Sequence, residues 1–384
     1  MNDTDYMNLA LELARRGMGW TSPNPVVGAV LVKNGEIIGQ GWHTRYGELH
    51  AEREALKNCT GSPAGATLYV TLELCCHQGR QPPCTQAILD AGITRVVVGS
   101  NDPNPLVAGK GLNILRAHGV QVETGVCKQA CDALNQVFFH FITTRRPYVV
   151  LKYAMTMDGK IATRTGASKW ITGETARKRV HEDRHRYRAI LAGVGTVLAD
   201  DPLLTCRMEG GRNPIRVICD THLRTPLTSQ IVCTAKEVPT ILATACPDEA
   251  RRAIYEAAGC QVWMLPERGE HVDLAALMDR LGAENIDSVL LEGGGTLNWS
   301  ALEQGLVQKV QAYIAPKLFG GGASKSPVEG LGVETPDQAV QLINTTITPL
   351  GDAFLLESEV ASAPYAGDST RRYCPLRRRI SCLT

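Results

Sequence analysis

The N-terminal part of the chain alternates helical and strand-like apolar patterns. Residues 6–17 (YMNLALELARRG) carry apolar residues at helical spacing and end at a glycine. VVGAVLVKNGEIIGQGW alternates around Asn34-Gly35, a pair typical of tight β-hairpins. Helices are then predicted at HAEREALKN, CTQAILDAGI and GLNILRAHG, and strands at ATLYVTLEL, TRVVVGS and VQVETG. This order predicts a layered α/β domain that ends near residue 145.

A second α/β alternation starts after the connecting segment TTRRPYVVLKYA. RKRVHEDRHRYRAILAGVGTVLA changes from helical to strand-like spacing, and NPIRVICD and DSVLLE predict further strands. DEARRAIYEAAG and TLNWSALEQG predict helices, and VQKVQAYIAP is expected to be the closing strand. No repeat links the two parts, so we predict two different domains over residues 1–145 and 146–360.

Composition narrows the class of protein. The chain has 384 residues, a net charge of +1 and 44% hydrophobic residues, which fits a globular protein of two domains. It has no apolar run of about 18 residues, and its N-terminus lacks the basic start and apolar stretch of a secretory signal. We therefore expect a cytoplasmic protein without a membrane span. The near-neutral charge gives no general case for nucleic-acid binding.

The charge is uneven at the C-terminus. Residues 361–384 hold five arginines and one aspartate, a net charge of +4, and show no apolar period. They are predicted to form a disordered basic tail. Two alternatives stay open: the tail contacts RNA or acidic partners, or it is an addition without function.

The 13 cysteines are scattered, and most are expected to be reduced, buried small hydrophobes. We assign that role to Cys206, Cys219, Cys233, Cys246 and Cys260. Only TLELCCHQGRQPPC, with Cys75, Cys76, His77 and Cys84, has the density of a metal site.

A histidine upstream extends this cluster. His50 opens the predicted helix HAE, with Glu52 two residues later, and zinc binds thiolate and imidazole ligands. An H-x-E element before a strand and a cysteine cluster is the arrangement of zinc nucleobase deaminases, in which the glutamate shuttles protons. Such a site uses three protein ligands and keeps the fourth position open for water. A closed structural site of His50 with all three cysteines is the alternative.

The sequence resembles the bifunctional riboflavin-biosynthesis deaminase-reductases of RibD type. The resemblance rests on PNPVVGAV, HAE, TLELCCHQGRQPPC, DPNPLVAGKG, MDGK, WIT, TVLADDP and EGGGTLN, and it covers about residues 5–357. It implies a cytidine-deaminase-like three-layer N-terminal domain and a dihydrofolate-reductase-like α/β C-terminal domain. The implied zinc ligands are His50, Cys75 and Cys84, with Glu52 as proton shuttle and Cys76 as a neighbour that does not bind the metal. The implied contacts with the pyrimidine or ribose phosphate are Asn24, His77, Arg80 and Asp102.

In the second domain, three glycines between a buried strand and a helix suit phosphate binding, although a tight structural turn gives the same pattern. The resemblance implies NADPH as cofactor. The implied cofactor contacts are Ala154, Trp170, Thr196, Asp200 and Thr221, with Gly294, Gly295, Thr296, Leu297, Asn298, Trp299 and Ser300. The implied substrate contacts are Ser168, Arg184, Leu204, Arg207 and Glu292, and Lys152 and Asp158 are expected to shape the same pocket. Arg184 and Arg207 suit phosphate binding, although Arg184 lies in a charged stretch that could be a solvated face.

The implied activity has two steps: zinc-dependent deamination of a pyrimidine ribosyl phosphate, then NADPH-dependent reduction of its ribosyl chain. Leu74 stands where the family has proline, and Cys76 where it has serine. These two departures motivate one alternative, a reductase joined to an impaired deaminase. Another alternative is a zinc-stabilised nucleic-acid-binding protein that uses the basic tail. We expect a small-molecule substrate, no nucleic-acid or membrane partner, and room for a homodimer or higher homo-oligomer.

Overall fold

A computed structural model describes residues 1–77 and 82–362. Its contacts divide the chain into two compact units. Among the described residues, the first unit comprises those of 1–148 and 279–288, and the second comprises those of 149–278 and 289–362. Residues 361 and 362 belong to a strand rather than to the predicted tail, and the rest of that tail lies outside the described residues. No described helix is long and apolar enough to cross a membrane.

The helices have the following bounds: α1 Asp3–Arg15, α2 Ala51–Lys57, α3 Cys84–Asp90, α4 Lys110–Ala117, α5 Lys128–Leu134, α6 Gln136–Thr144, α7 Glu174–Arg186, α8 Val194–Asp200, α9 Gln230–Cys233, α10 Glu249–Ala257, α11 Leu274–Ala283 and α12 Gly295–Glu303. The strands are β1 Gly28–Lys33, β2 Glu36–Trp42, β3 Thr67–Leu72, β4 Arg95–Ser100, β5 Gln121–Thr124, β6 Tyr148–Thr156, β7 Ala189–Gly193, β8 Ile215–Cys219, β9 Thr240–Thr244, β10 Gln261–Met264, β11 Glu267–Arg268, β12 His271–Val272, β13 Ser288–Leu291, β14 Lys309–Ala315, β15 Gln341–Leu350 and β16 Ala353–Ser362.

The first unit is built on a five-stranded sheet in the order β2-β1-β3-β4-β5. The predicted hairpin joins β1 to β2, and its turn residues Asn34 and Gly35 have φ values of 54° and 82°. β1 is antiparallel to β3, whereas β3, β4 and β5 run parallel. The carboxyl ends of β3 and β4 therefore lie at the same edge, where ligand sites of α/β sheets commonly form.

Alternation along β1 explains the three layers of this unit. Ala29 and Leu31 pack with α2, α3 and α4 on one face. Val30 and Val32 pack with α1 and α5 on the other face. Because successive side chains of a strand point to opposite faces, one apolar strand serves both cores.

The second unit contains a nine-stranded sheet in the order β10-β9-β8-β7-β13-β6-β14-β16-β15. Strands β10, β9, β8, β7 and β13 are parallel, and β16 is antiparallel to both β14 and β15. The prediction that VQKVQAYIAP closes the fold is wrong, because β15 and β16 follow it. β15 is solvent-exposed at nearly every position, so it carries no buried apolar alternation that the sequence could reveal.

Two smaller predictions are also corrected in this unit. The strand predicted through GVGTVLA ends at Gly193, and Val194 begins α8. Of the five cysteines assigned to the core, Cys246 and Cys260 are buried, Cys206 and Cys219 are half-buried, and Cys233 is exposed. A four-residue helix, α9, presents Cys233 to solvent, so an apolar neighbourhood in sequence does not ensure burial.

Candidate zinc site and nucleotide-binding edge

His50, Cys75 and Cys84 converge although 34 residues separate the first from the last. His50 is the N-cap of α2, Cys75 follows β3, and Cys84 is the first residue of α3. The His50 Nδ1 atom lies 3.5 Å from the Cys75 sulfur and 3.4 Å from the Cys84 sulfur. All three candidate ligand atoms lie within 4.8 Å of one another.

These separations fit a tetrahedral zinc ion. Zinc–sulfur and zinc–nitrogen bonds at tetrahedral angles place a sulfur and a nitrogen ligand about 3.6 Å apart. The group of mutually close ligand atoms among the described residues does not include Cys76, whose sulfur contacts the Leu106 carbonyl oxygen at 3.8 Å. Three protein ligands leave a fourth position for water, so the arrangement favours a catalytic zinc site over the closed four-ligand alternative.

The two cysteines differ in their electrostatics. Hydrogen bonding to Cys84 and to His50 lowers the pKa of the Cys75 thiol to about 4, although burial opposes the change. The same contact with Cys75, together with burial, raises the pKa of Cys84. The Cys84 amide also donates to the Cys75 sulfur over 3.3 Å. The thiolate form that a metal requires is therefore already favoured at Cys75.

Glu52 lies in the first turn of α2 and is only 3% exposed. Its Oε2 atom has no hydrogen-bond partner among the described residues. Burial raises the pKa of this carboxyl group, while nearby His50 opposes the rise. A buried carboxyl group with a free oxygen beside a metal site is well suited to carry a proton between reacting groups.

A cavity of about 350 Å³ adjoins the site. His50, Glu52 and Cys75 line it, and so do three of the four residues predicted to contact the pyrimidine or ribose phosphate: Asn24, His77 and Asp102. The fourth, Arg80, lies outside the described residues. The His77 Nδ1 atom is buried and has no partner within the described chain, so it can bond to a ligand.

Many residues of the cavity lining were not predicted from the sequence, among them two buried polar residues and two phenylalanines. His43 and Glu73 are buried polar residues of the wall, and Phe138 and Phe141 of α6 add apolar surface. The sequence signal for His43 was weak, since a lone histidine after a strand has no distinctive spacing. Phe138 and Phe141 lie three residues apart on α6, a helix that was not predicted from the sequence.

Arg53 holds the segment that leads into Cys84. Its guanidinium donates to the Pro82 carbonyl over 3.3 Å and to the Pro83 carbonyl over 3.0 Å. Since Arg53 follows Glu52 on α2, the start of this helix supplies a candidate metal ligand, a buried carboxyl group and hydrogen bonds to the segment before Cys84.

In the second unit, the predicted cofactor contacts gather at one edge of the sheet. β8, β7 and β13 are adjacent and parallel, so their carboxyl ends meet at the same edge. Thr221 follows β8, Thr196 lies on α8 directly after β7, and Gly294 is the N-cap of α12 after β13. The free amides at the start of α12 suit a phosphate, as in other parallel α/β sheets.

Other members of the predicted set lie close in the chain or contact each other. Ser168 donates to an Asp200 carboxylate oxygen over 3.0 Å, and Ala154 lies on β6. The Trp170 ring is 58% exposed and stacks on the Arg177 guanidinium at 4.8 Å. Asn298 and Trp299 are buried, and the Asn298 amide donates to the Pro327 carbonyl over 2.8 Å. A ligand at segment 294–300 can therefore reach the backbone of the segment and the exposed side chain of Thr296 more easily than the buried side chains of Asn298 and Trp299.

The predicted substrate contacts Arg184 and Glu292 form an ion pair. The Arg184 guanidinium donates to both Glu292 oxygens, over 2.8 and 3.0 Å, and Lys152 approaches the same carboxylate at 3.3 Å. Burial would raise the pKa of Glu292, but Arg184 and Lys152 together lower it to about 2. Arg184 is therefore not part of a solvated face, since its side chain is 14% exposed.

The two remaining predicted substrate contacts, Leu204 and Arg207, lie on one loop. Arg184 also donates to the Thr205 carbonyl over 3.1 Å, next to Leu204, which is buried with a φ of 51°. The Arg207 Nε atom donates to His181 over 3.2 Å. Asp158 accepts hydrogen bonds from the Phe319 and Gly320 amides over 3.2 and 2.7 Å, which supports a structural role at the turn after β6.

Comparison with known proteins accounts for both units. Residues 1–100 match the family described as the cytidine and deoxycytidylate deaminase zinc-binding region, and residues 147–356 match the RibD C-terminal domain. The chain is 53% identical over 362 residues to riboflavin biosynthesis protein RibD of Actinobacillus pleuropneumoniae, covering 94% of this chain and 96% of that protein. It is 42% identical over 336 residues to RibD of Escherichia coli strain K12, covering 84% and 90% respectively.

Solved structures of RibD-type proteins are also similar to this chain over both of its parts. Acinetobacter baumannii RibD superposes with a TM-score of 0.84 at 36% identity, covering 94% of this chain and 99% of that one. A Thermotoga maritima protein, described as a diaminohydroxyphosphoribosylaminopyrimidine deaminase/5-amino-6-(5-phosphoribosylamino)uracil reductase, gives 0.81 at 37% identity and covers 93% and 98%. These relatives span both parts of the chain, and they favour a bifunctional enzyme over a nucleic-acid-binding protein. The chain belongs to the RibD family and is a bifunctional enzyme of riboflavin biosynthesis, with an N-terminal deaminase domain and a C-terminal reductase domain.

Proposed function

We propose that the deaminase domain hydrolyses the 2-amino group of 2,5-diamino-6-ribosylamino-4(3H)-pyrimidinone 5′-phosphate and releases ammonia. The reductase domain then uses NADPH to reduce the ribosyl chain, giving 5-amino-6-ribitylaminouracil 5′-phosphate. The description of the Thermotoga maritima relative names the same pair of activities. The observation that carries the first half is the His50, Cys75 and Cys84 triangle beside buried Glu52.

In this proposal His50, Cys75 and Cys84 hold Zn²⁺. Zinc, when bound, supplies a Lewis acid that activates water near neutral pH. Glu52 accepts one proton from the attacking water and delivers it to the ring nitrogen. It then takes the second proton from the hydroxyl group that has been added to the ring carbon and passes it to the departing amine. Water replaces the amine as a carbonyl oxygen, so the step consumes one water and releases one ammonia.

Substrate binding is assigned to the residues that line the same cavity. Asn24, His77 and Asp102 supply polar contacts for the pyrimidine or its ribose phosphate, and Phe138 and Phe141 exclude water from the apolar side. Arg80 joins this set by family resemblance alone, because it lies outside the described residues.

In the reductase domain, NADPH is proposed to lie along the edge formed by Ala154, Trp170, Thr196, Asp200, Thr221 and the segment 294–300. Ser168, Leu204, Arg207 and the paired Arg184 and Glu292 would then hold the phosphoribosyl chain. NADPH, when bound, would supply a hydride to C1′ of the ribosyl group. The bond from C1′ to the ring oxygen breaks and that oxygen takes up a proton to become a hydroxyl, so the main task of the protein is orientation. A comparison of NADPH with NADH in steady-state kinetics tests the choice of cofactor.

The homo-oligomer and the cytoplasmic location stay predictions. Sedimentation analysis tests the oligomeric state.

The decisive experiment compares Cys75→Ser, Cys76→Ser and Cys84→Ser under anaerobic conditions. Zinc content and ammonia release should fall in the first and third variants and stay near wild type in Cys76→Ser. Each variant should still oxidise NADPH with deaminated substrate, which serves as the folding control. Zinc loss from Cys76→Ser, or full zinc retention by Cys75→Ser or Cys84→Ser, would contradict the proposed ligand set.

A further inference from the structure

We propose that His43 is a positioning residue of the deaminase site, which turns the Asn24 carboxamide so that its oxygen accepts a hydrogen bond from the substrate. The inference rests on the proposed function, because it takes Asn24 to contact substrate. It adds to that function by assigning a role to His43 and by naming the chemical group that this part of the cavity recognises.

His43 directly follows β2 and is 3% exposed. Its ring makes two hydrogen bonds: Nδ1 lies 3.0 Å from the Leu49 carbonyl oxygen, and Nε2 lies 3.2 Å from the Asn24 Nδ2 atom. His43 and Asn24 both line the cavity beside the candidate zinc site. The backbone fixes them as well, since the His43 amide donates to Val27 and the Asn24 amide donates to Thr21, over 2.9 and 2.8 Å.

The two ring contacts determine the tautomer. A carbonyl oxygen only accepts, so Nδ1 must carry the proton that is donated to Leu49. In the neutral ring Nε2 then has a lone pair and only accepts. The Asn24 group that faces it must therefore be the amide nitrogen, which leaves the amide oxygen for the cavity.

This orientation has a consequence for specificity. An amide turned the other way would present N–H donors to the substrate, whereas Asn24 held by His43 presents an acceptor. The subsite should therefore select an N–H or O–H donor on the pyrimidine or its ribose. An unpaired buried acceptor is costly, so ligands that lack the donor should bind less well.

Two substitutions of His43 separate its two hydrogen bonds. His43→Asn retains a donor at the position of Nδ1 for Leu49 but has no atom at the position of Nε2. His43→Gln supplies an oxygen near the position of Nε2 that accepts from Asn24 but loses the donor to Leu49. Because Leu49 precedes His50, His43→Gln tests whether the hydrogen bond to Leu49 helps to position the candidate metal ligand. His43→Asn tests whether the hydrogen bond to Asn24 holds the carboxamide in place.

The experiment is a double-mutant cycle on the full-length zinc enzyme with Asn24→Ala, His43→Asn and the double variant, with His43→Gln alongside. We expect His43→Asn and Asn24→Ala each to raise the KM for deamination about tenfold, the effect of one lost hydrogen bond, with kcat changed by less than about twofold. The double variant should equal Asn24→Ala, because His43 acts through Asn24. His43→Gln should recover most of the KM. Zinc content and the reductase rate of His43→Asn should match wild type, which excludes misfolding.

Independent effects that multiply in the double variant would overturn the proposal, as would a His43→Asn defect confined to kcat. A wild-type KM for Asn24→Ala would also overturn it. Failure of the proposed function is recognised separately, because the wild-type zinc enzyme would then release no ammonia before any variant is considered.

Discussion

The buried ion pair of Glu292 with Arg184 and Lys152 gives the most quantitative prediction. The Glu292 pKa of about 2 lies well below its ordinary value of 4.5, because Arg184 and Lys152 outweigh the effect of burial. A depression of this size corresponds to roughly 3 kcal/mol of folding free energy at neutral pH. Glu292→Gln should therefore lower the free energy of unfolding by about 3 kcal/mol at pH 7, since it leaves Arg184 buried without its charge partner.

The sign of the pH dependence follows from the depressed pKa. A carboxyl group with a lowered folded-state pKa stabilises the fold fully above its unfolded pKa, and the contribution is lost as pH falls through the folded pKa. The difference between wild type and Glu292→Gln should therefore be constant from pH 6 to 8. This difference in unfolding free energy should fall to about half by pH 3, since the stabilisation from the Glu292 carboxylate disappears between pH 4.5 and 2.

Urea unfolding followed by tryptophan fluorescence measures this difference, because three of the five tryptophans, Trp170, Trp263 and Trp299, lie in the second unit. The exposed Glu334→Gln serves as the matched control and should change stability by less than about 0.5 kcal/mol. Adding Arg184→Met to Glu292→Gln should recover part of the loss by removing the unpaired charge. A loss of about 1 kcal/mol or less at pH 7, or a loss that does not change between pH 6 and pH 3, would show that the ion pair does not stabilise the fold as proposed.

Three further predictions concern other buried groups. Arg216 is fully buried and donates to Thr234, Thr240 and three backbone carbonyls, so Arg216→Met should lower the free energy of urea unfolding by about 3–5 kcal/mol. A Cβ at Gly28 would lie 2.0 Å from the Ala10 carbonyl oxygen, so Gly28→Ala should lower the melting temperature of the first unit by several degrees in calorimetry. Burial raises the pKa of Asp102 to about 6, so its ionised form destabilises the fold above that pH. Asp102→Asn should therefore stabilise the free enzyme by up to about 3 kcal/mol above pH 7, and urea titrations should show this gain shrinking towards pH 4.

Local sequence signals predicted the elements that position the site. Asn34-Gly35 indicated the β1–β2 hairpin because both residues accept positive φ, and the glycines before α12 indicated a strand-to-helix turn. The His50, Cys75 and Cys84 set needed the family resemblance, because spacing alone left Cys76 as an equal candidate. The structure brings the three candidate ligands of that set together.

Contacts between distant residues could not be predicted. Arg184 and Glu292 are 108 residues apart, so no local period announces their pairing. His43 reaches Asn24 and Leu49 from the end of β2, and a single histidine has no periodic signal. β15 lies at the edge of the sheet and is exposed along almost its whole length, so its mixed polar and apolar residues resemble a loop.

Leu74 bears directly on the alternative of an impaired deaminase. Its side chain is fully buried in the core that α2, α3 and α4 form with the sheet, where Ile88 and Leu112 also pack. α4 approaches closely, since a Cβ at Gly111 would lie 2.4 Å from the Leu74 carbonyl oxygen. Packing of the leucine therefore fixes the backbone that enters Cys75, which is the task that the family's proline performs by restricting φ.

Restoring the proline should therefore harm the enzyme rather than improve it. Leu74→Pro removes a buried side chain, a change that costs about 2–5 kcal/mol when cores lose a leucine, and it should lower zinc retention and ammonia release together. Leu74→Met, which keeps the volume, should stay near wild type in both measurements. Both variants should retain the reductase rate, measured on deaminated substrate. Faster ammonia release from Leu74→Pro would instead show that the leucine weakens the deaminase and would restore the impaired-deaminase alternative.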